Sequence, residues 1–129
     1  MNGPVSGIVG ADAANEFLLN VDIADLSADA DYYVVSPYPA KIKKLYSAID
    51  GAVGTADVTI TPSIGGNAVT GGAITIATSN SAAGDVDSAS PTAANTVAAG
   101  GAIKLAVAGG GSGGSPRGHV VLVMERQEK

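Results

Sequence analysis

Few side chains in this sequence have the chemistry of a catalytic group. His119 is the only histidine, and the chain has no cysteine. A histidine that acts as a general base needs a nucleophile and a group that orients its ring, and no residue stands at a recognised spacing for either role. We therefore expect His119 to be a structural or exposed residue at the start of a strand. The sequence predicts no catalytic residue and no enzymatic activity.

Aspartates are the remaining candidate ligands, because carboxylate oxygens bind Ca²⁺. Asp85 and Asp87 form an Asp-x-Asp pair in a predicted loop, but the Glu that completes a calcium loop is missing. A second acidic cluster lies earlier in the chain and consists of Asp22, Asp25, Asp29 and Asp31. For both groups we favour the interpretation that the aspartates only keep the turns soluble. We predict neither a metal site nor a cofactor site.

Two further motifs are candidates for binding phosphate or nucleic acid. The segment GGGSGGSP (109–116) lacks the Gly-Lys-Ser/Thr ending and the following helix of a phosphate-binding loop, so it is predicted to be a mobile hairpin loop. Lys41, Lys43 and Lys44 are too few for a nucleic-acid platform and lack interleaved aromatic residues. The net charge of −5 also opposes the basic surface that nucleic-acid binding requires. No nucleic-acid partner is predicted.

Four tyrosines leave a carbohydrate-binding alternative open, since a tyrosine ring can stack on a sugar. They are Tyr32, Tyr33, Tyr38 and Tyr46. Tyrosines on strands more often pack their ring and leave the hydroxyl in water, and that interpretation is favoured.

The elements that position these residues are predicted to be β-strands. Apolar residues alternate in short segments separated by Gly, Asn, Pro or Asp, which predicts an all-β sandwich rather than βαβ units. The alternating positions are Phe17, Leu19, Val21, Ile23, Val58, Ile60, Ile74, Ile76, Ile103, Leu105 and Val107. The segment AKIKKLYSAIDGAVG (40–54) fits a helix or a strand, and its Asp50-Gly51 turn signal favours the strand. The last segment, GHVVLVMERQ, is apolar on both faces and is predicted to be central and buried, or buried between subunits.

The length of 129 residues suits one domain. Residues 1–14 are small and Gly-rich and are predicted to form an extended N-terminal arm, followed by a single β-sandwich domain over residues 15–129, with about seven or eight antiparallel strands. Residues 81–99 are predicted to be a long loop, shaped by Pro91 and Asn95, that re-enters the sheet at Gly100–Gly101. The segment MNGPVSGIVGADAANEF has no basic stretch and no long apolar core, and no apolar run approaches the ~20 residues of a membrane span. We therefore expect no secretory signal, cytoplasmic synthesis and no membrane partner.

Three stretches together carry a resemblance to a known class of proteins. They are AKIKKLYSAIDGAVGTADVTITPSIGGNAVTGGAITIATSNSAAGDV, SASPTAANTVAAGGAIKLAV and the closing GHVVLVMERQ. This pattern, over roughly residues 40–126, resembles small β-sandwich virion proteins of tailed bacteriophages, in particular head decoration (capsid cement) proteins. Similar sequences also occur among phage tail-fibre proteins.

The resemblance implies a jelly-roll-like sandwich on the outer surface of the capsid of a virion. It implies that the protein joins neighbouring subunits of the major capsid protein, commonly as a homotrimer or homodimer, and stabilises the head. Small, uncharged residues suit such close contacts because their burial costs little desolvation, and symmetry multiplies each contact. Residues 1–14 are expected to order on the capsid. The alternative is a tail-fibre or receptor- or glycan-binding module that uses tyrosines and loop acids.

Overall fold

The computed structural model describes residues 15–79, 81–109 and 115–127, which form ten β-strands and no helix. The strands are β1 (Glu16–Ile23), β2 (Ala30–Val35), β3 (Ala40–Ile49), β4 (Val58–Ile64), β5 (Asn67–Ala68), β6 (Ile74–Ile76), β7 (Val86–Ala89), β8 (Thr96–Val97), β9 (Ala102–Gly109) and β10 (Gly118–Arg126). The predicted N-terminal arm, residues 1–14, lies outside the described residues. Its separation from a sandwich domain over 15–129 stays a prediction.

The strands form two antiparallel sheets that pack face to face. Sheet A has the order β1-β10-β3-β7, with β8 also beside β3, and sheet B has the order β2-β9-β4-β5, with β6 also beside β4. The first strand pairs with the last, and the second pairs with the last but one. This nesting is the jelly-roll arrangement, so the predicted all-β, jelly-roll-like sandwich is confirmed. The strand count exceeds the predicted seven or eight because β5 and β8 have only two residues each and show no alternation.

One apolar cluster fills the space between the sheets and follows the predicted period of two. In β10, Val120, Leu122 and Met124 are fully buried, while Val121 and Val123 face outward and are partly buried. The prediction that the last strand is central is confirmed, since β10 lies between β1 and β3. Successive strand residues point to opposite faces, so one face of each strand supplies the core.

A β-bulge explains why residues 40–54 fit both a helix and a strand. Met124 pairs with Ile42, whereas the preceding Val123 pairs with Lys44, so Lys43 is the extra residue in β3. A bulge resets the alternation of a strand, and Ile42 and Leu45 are therefore both fully buried although three positions separate them. The strand interpretation is correct, and the helix-like spacing is the signature of the bulge.

The prediction that residues 81–99 form one long loop is wrong in part, because β7 and β8 within this stretch form the edge of sheet A. The predicted re-entry at Gly100–Gly101 agrees with the start of β9 at Ala102. β7 pairs with Leu45–Ala48, and β8 pairs with Ala40 and Lys41. Between them, the buried Asn95 donates from its side-chain Nδ2 to the Ile42 carbonyl (2.7 Å), and the main-chain carbonyl of Asn95 accepts from the Ile42 N–H (2.9 Å). The bulge interrupts regular pairing at this point, and Asn95 supplies the missing hydrogen bonds.

The segment 109–116 is not a hairpin loop, because the strands on either side belong to different sheets. β9 pairs with β2 and β4 in sheet B, whereas β10 pairs with β1 and β3 in sheet A. Residues 110–114 lie outside the described residues. The end of the connection is fixed by Pro116, which is buried and whose carbonyl accepts from the Leu26 N–H at 2.8 Å.

Candidate functional site

His119 lies on the outward face of sheet A, beside Asp22 of β1. Its Nδ1 is 2.9 Å from Asp22 Oδ1, and both side chains are open to solvent. His119 also borders a shallow depression of about 240 Å³ with Ile49, Asp50 and Arg117. The lining residues provide no hydroxyl or thiol, so the structure places a carboxylate beside the histidine but no Ser, Thr, Tyr or Cys nucleophile in this depression.

The predicted acidic clusters do not form common sites, because their members have separate partners: Asp25 and Asp85 hold their own turns, whereas Asp29 accepts from the distant end of β9. Asp25 Oδ1 accepts from the Ser27 hydroxyl (2.6 Å) and N–H (2.9 Å). These hydrogen bonds, of which the one from the Ser27 hydroxyl has the larger effect, hold the pKa of Asp25 below its ordinary value of 3.8. Asp29 accepts from the Gly109 N–H, and Asp85 accepts from the Ala82 N–H. Within the described part of the chain no group of three or more His, Asp or Glu residues could hold a metal ion.

The outward surface of β1, β10, β3 and β7, here called the sheet A face, has an apolar centre. The register places Leu18 beside Val123, and Val121 between Asn20 and Tyr46. Its exposed apolar residues are Leu18, Tyr46 and Val86, with exposures of 59%, 40% and 63%, and the partly buried Val121 and Val123 lie between the first two. Contiguous exposed apolar side chains of this kind mark interaction surfaces.

Charged residues border this apolar centre, and they include the three lysines considered above for nucleic-acid binding. Lys41 lies in the end row beside Glu125, whereas Lys44 lies beside Val123. Lys43 Nζ lies 2.6 Å from Glu16, an ion pair that bridges β3 and β1 across β10. Lys41 Nζ lies 3.7 Å from Glu125, and Lys44 Nζ lies 5.3 Å from the centre of the Tyr46 ring. The three lysines thus balance acids and an aromatic ring on the same face and do not form a separate basic surface.

The outward surface of sheet B is different, since alanine, serine and threonine cover most of it. It carries an open cleft of about 530 Å³ at one end. In the register Tyr33 pairs with Lys104, and Lys104 pairs with Ser63, so an exposed ring, an ammonium group and a hydroxyl side by side line the cleft. Gly65 and Gly66 of the β4–β5 turn form part of its wall.

The four tyrosines do not form one surface. Tyr33 faces outward from sheet B, and Tyr46 faces outward from sheet A. Tyr38 packs its ring edge-on against Phe17, with 5.5 Å between ring centres, and lies beneath Arg126. Tyr32 is partly buried, and its hydroxyl accepts from the Ala24 N–H. Of the four, only Tyr33 lines the cleft.

Chains from two bacteriophage capsids share this fold. One belongs to the acidic stable capsid structure of Helicobacter pylori bacteriophage KHP30, with a TM-score of 0.55 and 11% identity over 85% of this chain and 86% of that chain. The other belongs to the cyanophage Pam1 capsid asymmetric unit, with a TM-score of 0.55 and 12% identity over 88% and 86% of the two chains. The resemblance to small β-sandwich virion proteins is therefore confirmed at the level of the fold.

A third structure is less similar: CsCBM6-3 from Clostridium stercorarium in complex with cellobiose, with a TM-score of 0.48 and 13% identity over 88% of this chain and 83% of that chain. No protein-family model matches this sequence, and no curated protein matches it. Among residues 15–79, 81–109 and 115–127 there is no helix with the length and hydropathy of a membrane span.

Neither the sheet A face nor the cleft of sheet B corresponds to a motif in the sequence. The sheet A face brings residues 16–22 of β1 next to residues 119–125 of β10. The only sequence signal for it was the apolar character of both faces of the last strand. Tyr33 and Lys104 are 71 positions apart, and only the pairing of β2 with β9 brings them together.

Proposed function

We propose that this protein is a structural virion protein that decorates and stabilises a bacteriophage capsid by bridging neighbouring subunits of the major capsid protein. The observation that carries the proposal is the fold it shares, over most of its length, with chains of two phage capsids. In this proposal the protein lies on the outer surface of the virion, acts without a cofactor and catalyses no reaction.

The surface supports a role in assembly. The depressions described above are open rather than enclosed, and the broad sheet A face combines exposed apolar side chains with a charged rim. An apolar centre within a polar rim is the usual composition of a protein–protein interface. On a capsid lattice many copies of a modest interface act together, so each contact can be weak.

Quantitative mass spectrometry of purified virions tests the proposal. A decoration protein is expected at hundreds of copies per particle, in fixed ratio to the major capsid protein. A handful of copies would instead indicate a tail component, and absence from the particle would refute a virion role. Removal of the protein should lower the temperature at which heads release their DNA.

The cleft of sheet B favours a second candidate, a glycan- or receptor-binding module of a tail fibre. An exposed tyrosine beside a lysine and a serine offers a stacking surface with hydrogen-bond donors. Saturable binding on a glycan array that is lost in Tyr33→Ala and kept in Tyr46→Ala would support this function. No binding to any glycan by the wild-type protein would dismiss it.

A further inference from the structure

We propose that the sheet A face is the contact between two copies of this chain, which pack face to face around a two-fold axis that runs parallel to the strands between β10 and β3. The proposal concerns the isolated protein and does not depend on a role in virions. It assigns a partner to the exposed apolar side chains of the sheet A face.

The first argument is the cost of leaving the face in water. Leu18 and Tyr46 are 59% and 40% exposed, and Val121 and Val123 between them are only partly covered. These side chains lie on adjacent strands in neighbouring rows of the register. A second apolar face of the same shape would remove them from water, with a gain that grows with the apolar area buried.

The second argument is charge. The chain as a whole carries −5, so two copies repel each other on average. The sheet A face carries three lysines and three carboxylates, which balance; they are Lys41, Lys43, Lys44, Glu16, Asp22 and Glu125. The net negative charge therefore lies elsewhere on the chain, and two copies can approach through this face without net repulsion.

The third argument is that the charges are sorted in a self-complementary way. The carboxylates lie on β1 and β10, and the lysines lie on β3. A two-fold axis between β10 and β3 places β10 of each copy, with Glu125, over the lysine-bearing β3 of the other, while β1, with Glu16 and Asp22, lies over the second copy's β7. In the same arrangement Glu125 faces the second copy's Lys41, and Val121 faces the second copy's Tyr46, because paired residues share a row of the sheet.

The face is also large enough for a weak dimer. With strands about 4.8 Å apart and a rise of about 3.4 Å per residue, three strands of eight to ten residues plus the short β7 present about 450 Å² or more per copy. The pair would bury roughly 1,000 Å², which is the lower limit for a specific interface. We therefore expect a dimer that dissociates on dilution.

Sedimentation over a range of protein concentrations tests the proposal with a matched pair of variants. Tyr46→Arg places a cation at the centre of the sheet A face, and Tyr33→Arg places one on the outward face of sheet B. The wild type and Tyr33→Arg should form dimers, whereas Tyr46→Arg should weaken dimerisation by about 30-fold or more, the effect of a central tyrosine in an interface. Leu18→Lys, at a more exposed position, serves as a second variant if Tyr46→Arg folds poorly, and circular dichroism checks both.

Charge-swapped variants test the symmetry itself. Lys41→Glu combined with Lys44→Glu makes the face acidic, and Glu125→Lys combined with Asp22→Lys makes it basic. Each variant alone should be monomeric, and an equimolar mixture should form a heterodimer. The proposal would be overturned by a wild type that is monomeric at every concentration or that forms a trimer. It would also be overturned by dimers that Tyr33→Arg disrupts and Tyr46→Arg does not, or by a mixture of the charge-swapped variants that stays monomeric.

Discussion

At the scale of single residues, Asn95 has the most specific structural role. It is buried, and its side chain and main chain both hydrogen-bond Ile42 beside the bulge of β3. An apolar residue at position 95 would leave the Ile42 carbonyl without the hydrogen bond from the Asn95 side chain. A buried polar group that loses its partner destabilises a protein by about 1–3 kcal/mol.

We therefore expect Asn95→Ala to lower the free energy of unfolding by about 1–3 kcal/mol. Urea titration followed by circular dichroism measures the change, and Thr96→Ala, at an exposed neighbouring position, is the matched control and should change stability by less than about 0.5 kcal/mol. Equal effects of the two substitutions would show that Asn95 has no special role.

Asp25 predicts a dependence of stability on pH. Its pKa in the folded chain lies below the ordinary value of 3.8, chiefly because the Ser27 hydroxyl donates to the carboxylate. A lowered pKa in the folded state adds stability that is fully present above pH 3.8 and disappears as the pH falls through the folded value. Asp25→Asn should thus be less stable than the wild type at pH 7, with a difference that shrinks below pH 3.8.

Urea titrations at pH 7 and at pH 2.5 measure this difference. In a Ser27→Ala background the same Asp25→Asn substitution should have a smaller effect at pH 7, because the main donor to the carboxylate is gone. A difference of the same size at both pH values would mean that the ionised carboxylate adds nothing to stability.

At the scale of elements, the end of β9 depends on a glycine. Gly109 has a φ of +94°, and a Cβ at this position would lie 2.3 Å from the Asp57 carbonyl oxygen. Gly100 also has a positive φ, of +77°, but a Cβ there would meet no atom within 4 Å. The two positions share the backbone conformation and differ in the space around them.

Gly109→Ala should therefore destabilise the fold more than Gly100→Ala does. Gly100→Ala is expected to cost about 1–2 kcal/mol, the usual penalty of a left-handed conformation. Gly109→Ala should cost clearly more, since the Asp57 main chain must also move. Thermal unfolding of both variants measures the difference, and equal melting temperatures would contradict the steric argument.

The elements were predictable to the extent that their residues alternate. β1, β4, β9 and β10 follow from period-two apolar positions such as Val21, Ile60, Leu105 and Leu122. β7 was not predictable, because its sequence VDSA lies at an edge and has little apolar alternation. The bulge of β3 was hidden for a different reason: its residue spacing imitates a helix, and only the pairing with β10 distinguishes the two.

At the scale of the whole molecule, the candidate surface was much less predictable than the fold. Single residues such as His119 and Asp22 were identifiable, but their proximity depends on β1 and β10 pairing across nearly the whole chain. A face made from strands distant in sequence has no local pattern. The alternation of apolar residues correctly indicated the all-β class, whereas the position of the apolar patch required the sheet topology.

The proposed dimer predicts that stability depends on protein concentration. Association stabilises the folded state by mass action, so a tenfold higher concentration should raise the melting temperature of the wild type. Tyr46→Arg should melt at a temperature that does not vary with concentration, and Tyr33→Arg should behave as the wild type. A wild-type melting temperature that is independent of concentration would argue against association through folded chains.

The position of β10 in the centre of sheet A has a consequence for how the chain folds during synthesis. β1 and β3 do not pair with each other, since each pairs with β10, and β10 follows both of them in the chain. Until it emerges, the inward-facing residues of β1 and β3 have no neighbouring strand between them, and contacts this distant in sequence form slowly. We therefore expect chains that still lack β10 to expose these apolar residues and to aggregate more readily than the full chain.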